Sequence, residues 1–93
     1  MSKLNVYEKI VVIENKLGLH ARPAALFVEL ASRFDSDIMI EKDGNTVNAK
    51  SIMGIMMLAA ACGSKLKISA EGDDCKKAVS ALEKLIKDKF NEE

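Results

Sequence analysis

His20 is the only histidine of this 93-residue chain, and Pro23 is its only proline. Both fall within one short string, Gly18-Leu19-His20-Ala21-Arg22-Pro23-Ala24. A neutral imidazole is a nucleophile near pH 7 and needs no metal to act as one. Arg22 adds a planar cation whose N–H fork suits phosphate oxygens. A histidine and an arginine at this spacing could accept a phosphoryl group and hold its charge while it is bound.

The flanking residues say where that chemistry would sit. The β-branched run Ile10-Val11-Val12-Ile13 precedes the string, and the helix-like run from Ala24 to Ala31 follows it. His20 is therefore expected where a helix begins. The first N–H groups of a helix lack intrahelical partners, and the helix dipole favours negative charge there. Pro23 fits, because an early helix position does not need the N–H that proline lacks. The plainer reading is a histidine that only caps or decorates the helix start.

A second string, Lys50-Ser51-Ile52-Met53-Gly54-Ile55-Met56, opens another helical run. Ser51 is a natural N-cap, and Gly63 a natural stop. Gly54 costs about 1 kcal/mol relative to alanine within a helix, so a close contact is expected at it. Met53, Met56 and Met57 could form a core stripe or an exposed one.

The elements that position these strings follow from periodicity. Tyr7 to Glu14 reads as a strand, with Val11 and Ile13 on one face and Ile10 and Val12 on the other. Ala21 to about Phe34 reads as a helix whose apolar face is Ala24, Val28 and Ala31, flanked by Phe27, Leu30 and Phe34. Ile38 to Lys42 and Thr46 to Lys50 read as a hairpin around Asp43-Gly44-Asn45, with Ile38, Ile40, Val47 and Ala49 inward. Ser51 to Gly63 is the second helix, and Lys65 to Glu71 a strand with Leu66, Ile68 and Ala70 inward. Cys75 to about Phe90 is the third helix, striped by Ala78, Val79, Leu82, Leu85 and Ile86. Asn91-Glu92-Glu93 is expected to fray. Residues 1–93 form a single domain. Its four strands need a cover on one face, which three amphipathic helices can supply.

Composition excludes several classes. Lysine plus arginine and aspartate plus glutamate each number 14, so the formal net charge is zero. A general nucleic-acid binder carries a basic excess, and one tyrosine, three phenylalanines and no tryptophan leave few platforms for base stacking. An RNA-binding or plain interaction module is accordingly disfavoured. No apolar run approaches the roughly 20 residues of a membrane span, and Met1-Ser2-Lys3-Leu4-Asn5 lacks a leader's apolar core. The expected compartment is the cytoplasm. Cys62 and Cys75 do not have zinc-site spacing and are expected to be small, reduced, partly buried side chains. No metal or other cofactor is implied.

The two strings together resemble the signature segments of the HPr family, the histidine-containing phosphocarriers of the bacterial phosphoenolpyruvate-dependent sugar phosphotransferase system. The resemblance runs without an obvious gap from about Val11 to Leu85. It implies an α+β fold: an open-faced β-sandwich with a four-stranded antiparallel sheet and three helices on one face, in the order βαββαβα. It also implies a carrier rather than an enzyme. His20 would take a phosphoryl group on Nδ1 from phosphorylated enzyme I and pass it to IIA domains of sugar permeases, and Arg22 would steady the phosphate. Ser51 matches the serine that HPr kinase/phosphorylase modifies in many Gram-positive relatives, a form that acts with a catabolite control regulator. Ile52, Met53 and Met56 match an exposed apolar patch that partners dock against, and Leu19, beside His20, and Pro23 are expected to join it. A monomer is expected. The nitrogen-related branch of the family keeps the histidine and is the runner-up; repression-only relatives usually lack it. Two departures stand out. Glu29 and Ser32 occupy positions where enteric relatives carry lysines, with Arg33 the nearest cation, so attraction for enzyme I should be weaker. Leu17 stands where many Gram-positive relatives have serine.

Overall fold

The computed structural model describes residues 5–91. The expected fraying at Glu92 and Glu93, and the reading of Met1 to Leu4, lie outside them. Strand β1 (Val6–Val12) leads to helix α1 (Ala21–Ala31), the hairpin β2 (Asp37–Lys42) and β3 (Asn45–Asn48), helix α2 (Ile52–Met57), strand β4 (Lys65–Glu71) and helix α3 (Cys75–Lys87). A short 3₁₀ turn, Lys89–Asn91, follows. The sheet order is β1-β4-β2-β3, and every pairing is antiparallel.

Strict alternation puts one face of this sheet inside. Val11 pairs with Leu66, Ile40 with Ile68 and Ile38 with Ala70, and all six are buried. The helices close over them with Ala24, Phe27 and Ala31 of α1, and Ala78, Val79, Leu82 and Ile86 of α3. Phe27 lies in the core itself rather than beside it, and Val28 is only half-buried. On the opposite face Ile10, Val12 and Met39 meet solvent. The β2–β3 hairpin closes through Asp43 and Gly44, both with positive φ (51° and 84°), the backbone of a tight two-residue turn.

Several boundaries differ from the periodicity. Pairing outlasts β1, since the Ile13 N–H donates to the Ser64 carbonyl at 2.9 Å and the Gly63 N–H to the Ile13 carbonyl at 2.8 Å. Helix α1 stops at Ala31 and tightens into a turn, in which the N–H groups of Arg33 and Phe34 donate to the carbonyls of Leu30 and Ala31. Helix α2 ends at Met57, well before Gly63. Ala59 turns left-handed (φ 50°), which buries both Leu58 and Ala60 and frees the Ala60 carbonyl for a loop described below. Helix α3 ends at Lys87, and positive φ at Lys89, Phe90 and Asn91 brings Phe90 back into the core. Cys75 is buried as expected, whereas Cys62 is exposed beyond the shortened α2.

A polar clamp ties α3 to the entrance of β2. The Asp74 carboxylate accepts the Ser36 hydroxyl and the N–H groups of Asp35 (2.9 Å) and Ser36 (3.0 Å). The Ser36 hydroxyl first, and then the Asp35 N–H, hold this carboxyl below its ordinary pKa. A lowered folded pKa means that the clamp's stabilisation is full above the unfolded value, about 4, and is lost as pH falls toward the folded one. The gap in urea midpoint between wild type and Asp74→Asn should therefore be widest near neutrality and close as the buffer is acidified below about pH 4.

Candidate functional site

His20 is the N-cap of α1, with extended backbone (φ −82°, ψ −171°). Its carbonyl accepts the Ala24 N–H at 3.0 Å, the first bond of the helix. The N–H groups of Ala21 and Arg22 therefore face outward from the helix end, and Pro23 contributes none. No acidic residue lies in the first turn to neutralise that pole. The imidazole is half-buried and makes no capping bond to its own helix. Arg22 is exposed on the first turn. An anion approaching His20 would meet an imidazole, outward N–H groups and a nearby guanidinium.

The loop that delivers His20 is held firmly. The Gly18 N–H donates to the Asn15 carbonyl at 3.1 Å, and the Leu19 N–H donates to the Ala60 carbonyl at 2.8 Å. Gly18 has φ +69°, and a Cβ added there would lie 2.5 Å from the Ala60 oxygen. Glycine is thus required twice, for its backbone angle and for the close approach. Asn15 is fully buried beneath this loop. By sequence Asn15 is simply part of the loop to the site, because connecting segments normally run over the surface.

Two expected docking residues belong elsewhere. Leu19 is 5 % exposed and packs in the core. Pro23 is buried too. Their neighbour His20 reaches the surface, but the loop turns the side chain of Leu19 inward and the helix turns that of Pro23 inward. Ile52, Met53 and Met56 are exposed, as the resemblance implied. Met57 (77 %) is more exposed than Met53 (70 %), and Leu17 is open as well. Periodicity could not assign these residues, since it does not tell which face of a short helix is covered. Helix α2 packs on α1, and the segment after α2 packs on the Gly18 loop, so this apolar patch adjoins the helix carrying His20. Glu29, Ser32 and Arg33 are exposed on and just after α1.

Ser51 is the N-cap of α2, and its Oγ accepts the Gly54 N–H at 3.1 Å. The contact expected at Gly54 is present, because an added Cβ would lie 3.2 Å from Val47 Cβ. Beside Ser51, the Lys50 ammonium donates to the Phe34 carbonyl at 2.7 Å and fastens the end of α1 to the start of α2. Removing the cap with Ser51→Ala should lower stability by about 1 kcal/mol, read as a lower urea midpoint at constant slope.

Residues 7–88 match the family described as the PTS HPr component phosphorylation site. The chain belongs to the HPr family. It is 56 % identical to phosphocarrier protein HPr of Treponema pallidum over 85 residues, covering 91 % of this chain and 97 % of that one. Its fold is similar to the crystal structure of HPr from Thermoanaerobacter tengcongensis, with a TM-score of 0.91 and 59 % identity over 94 % of this chain and 98 % of the other. It is also similar to Crh of Bacillus subtilis, a catabolite repression protein solved as a swapped dimer (TM-score 0.72, 48 % identity, 85 % of this chain and 91 % of that one). The open sheet with three helices on one face, in the order βαββαβα, is the HPr fold. Among the described residues no helix is long and apolar enough to cross a membrane.

Proposed function

We propose that this HPr-family chain is a cytoplasmic phosphoryl carrier of a sugar phosphotransferase relay, with His20 as the acceptor. The observation that carries the reading is an imidazole at the N-terminal end of α1, with exposed Arg22 on the first turn and no acidic residue there. The Nδ1 lone pair of His20 forms a P–N bond as the bond between phosphorus and its donor, phosphorylated enzyme I, breaks. Arg22 and the helix end steady the oxygens. The half-exposed site then releases the group to a IIA domain of a sugar permease. The chain is a carrier and not an enzyme, since it is itself modified and then restored by its partners. One copy holds the acceptor, Arg22 and Ser51; sedimentation tests whether the carrier is a monomer or assembles as Crh does.

Ser51 is the regulatory position on this reading. It heads the helix that bears exposed Ile52, Met53 and Met56, so a phosphate there would set about two negative charges beside the apolar patch that partners use. Its modification by HPr kinase/phosphorylase would redirect the protein from enzyme I toward a catabolite control regulator.

Intact-mass analysis with site mapping, after incubation with phosphoenolpyruvate and enzyme I, tests the carrier reading. An acid-labile phosphoryl group on His20 supports it. No modification of folded protein by a matched enzyme I counts against it. Transfer onward to sugar-type rather than nitrogen-type IIA domains separates the two branches of the family.

A further inference from the structure

Asn15 is buried completely, yet it stands in the loop between β1 and α1, where backbone normally faces water. Buried side-chain donors are as a rule hydrogen-bonded, and the partner shows what the residue holds. Its amide donates from Nδ2 to the Gly18 carbonyl at 2.8 Å. The main-chain carbonyl of Asn15 accepts the Gly18 N–H at 3.1 Å. Asn15 therefore grips the Gly18 residue at both polar groups. The same Gly18 carbonyl also accepts the His20 N–H at 3.0 Å. One oxygen joins the buried amide to the backbone of the proposed acceptor.

We infer that Asn15 is a positioning residue for phosphoryl transfer at His20, acting through the Gly18 carbonyl; this rests on the carrier reading above. Without the Nδ2 donor, the Gly18 peptide is held by fewer bonds and can rotate. His20 is hydrogen-bonded to that peptide, so the imidazole would sample more directions at the head of α1. In-line transfer between two proteins needs the nitrogen, phosphorus and leaving group aligned, and misplacement by an ångström can cost on the order of 100-fold. Asn15 touches no reacting atom, so its loss should lower the rate of the step and spare recognition of enzyme I, because a fully buried side chain meets no partner.

The test is steady-state phosphorylation by enzyme I and phosphoenolpyruvate of wild type, Asn15→Ala, Asn15→Asp and a control, Ile86→Val. Aspartate keeps the shape of asparagine but, when ionised, has no proton to donate. Ile86 lies in the core on α3. The expected result is kcat about tenfold lower in both Asn15 variants, with KM for the carrier within about twofold of wild type. The control, compared at equal fractions of folded protein, should keep its kcat. Unchanged kcat in folded Asn15 variants, or the same fall in the control, would overturn the inference and leave Asn15 a purely structural residue. Should neither variant fold, NMR of wild type decides: a coupling across the hydrogen bond from the Asn15 amide to the Gly18 carbonyl is expected, and its absence overturns the inference. If wild type itself is never phosphorylated, the carrier reading fails first, and that result is distinct from the others.

Discussion

His20→Ala is expected to remain folded and to take no phosphoryl group from phosphorylated enzyme I. Alanine removes the only imidazole in the chain, so no second histidine can substitute. Loss of a nucleophile that forms the covalent bond costs at least about 10⁴-fold in comparable systems. Helix α1 should survive, because the His20 side chain makes no capping bond and the helix is anchored through Ala24, Phe27 and Ala31. The circular dichroism spectrum and a cooperative thermal transition check the fold, and intact mass checks the phosphoryl group. Ser51→Ala is the companion control and should still be phosphorylated on His20. An acid-labile group appearing on the His20→Ala protein would defeat the assignment.

The second large effect is on stability. Gly18→Ala should lower it by roughly 3 kcal/mol or more and reduce phosphoryl acceptance in whatever folded protein remains. The left-handed backbone at Gly18 costs a side-chain-bearing residue about 1–2 kcal/mol. The added Cβ would also meet the Ala60 oxygen at 2.5 Å and the Ala61 Cα at 2.8 Å. Both are backbone atoms and cannot swing aside as a side chain could. The loop must then lift off Ala60, breaking the bond from the Leu19 N–H. A domain of this length has roughly 5–14 kcal/mol in total, so the loss is a large share of it. Urea unfolding measures it directly. A midpoint equal to that of wild type would mean that the loop is not held as described.

The sheet was legible in the sequence because alternation is a local signal with one physical cause. Ile38 and Ile40, or Leu66, Ile68 and Ala70, can only face inward together. The place of His20 was legible for a similar reason: Pro23 is tolerated only near a helix start. The end of α2 was not. Three alanines follow Leu58, and alanine has the highest helix propensity, so nothing local stops the helix before Gly63. What stops it is distant: the Ala60 carbonyl meets the Leu19 N–H, and Leu58 and Ala60 gain burial. Leu19 and Pro23 were expected on the docking surface with His20, but a place near His20 along the chain does not fix the direction of a side chain. Asn15 was missed because its burial arises from packing between distant segments and leaves no periodic mark.

The pairing of β1 with β4 bears on when the proposed acceptor is fixed in place. The first described strand lies against the last, and the loop carrying His20 is fastened to Ala60 and, through Ile13, to Gly63 and Ser64. None of these partners is near His20 in sequence. Closing such a span costs chain entropy before any contact repays it, and non-local pairing of this kind slows folding. A chain leaving the ribosome thus exposes His20 early as an unfixed residue. His20 is oriented at the head of α1 only after β4 has emerged and paired with β1. On the proposed carrier reading, competence for transfer coincides with completion of the fold, and a truncated product that stops before Ala60 carries the motif without its anchored loop.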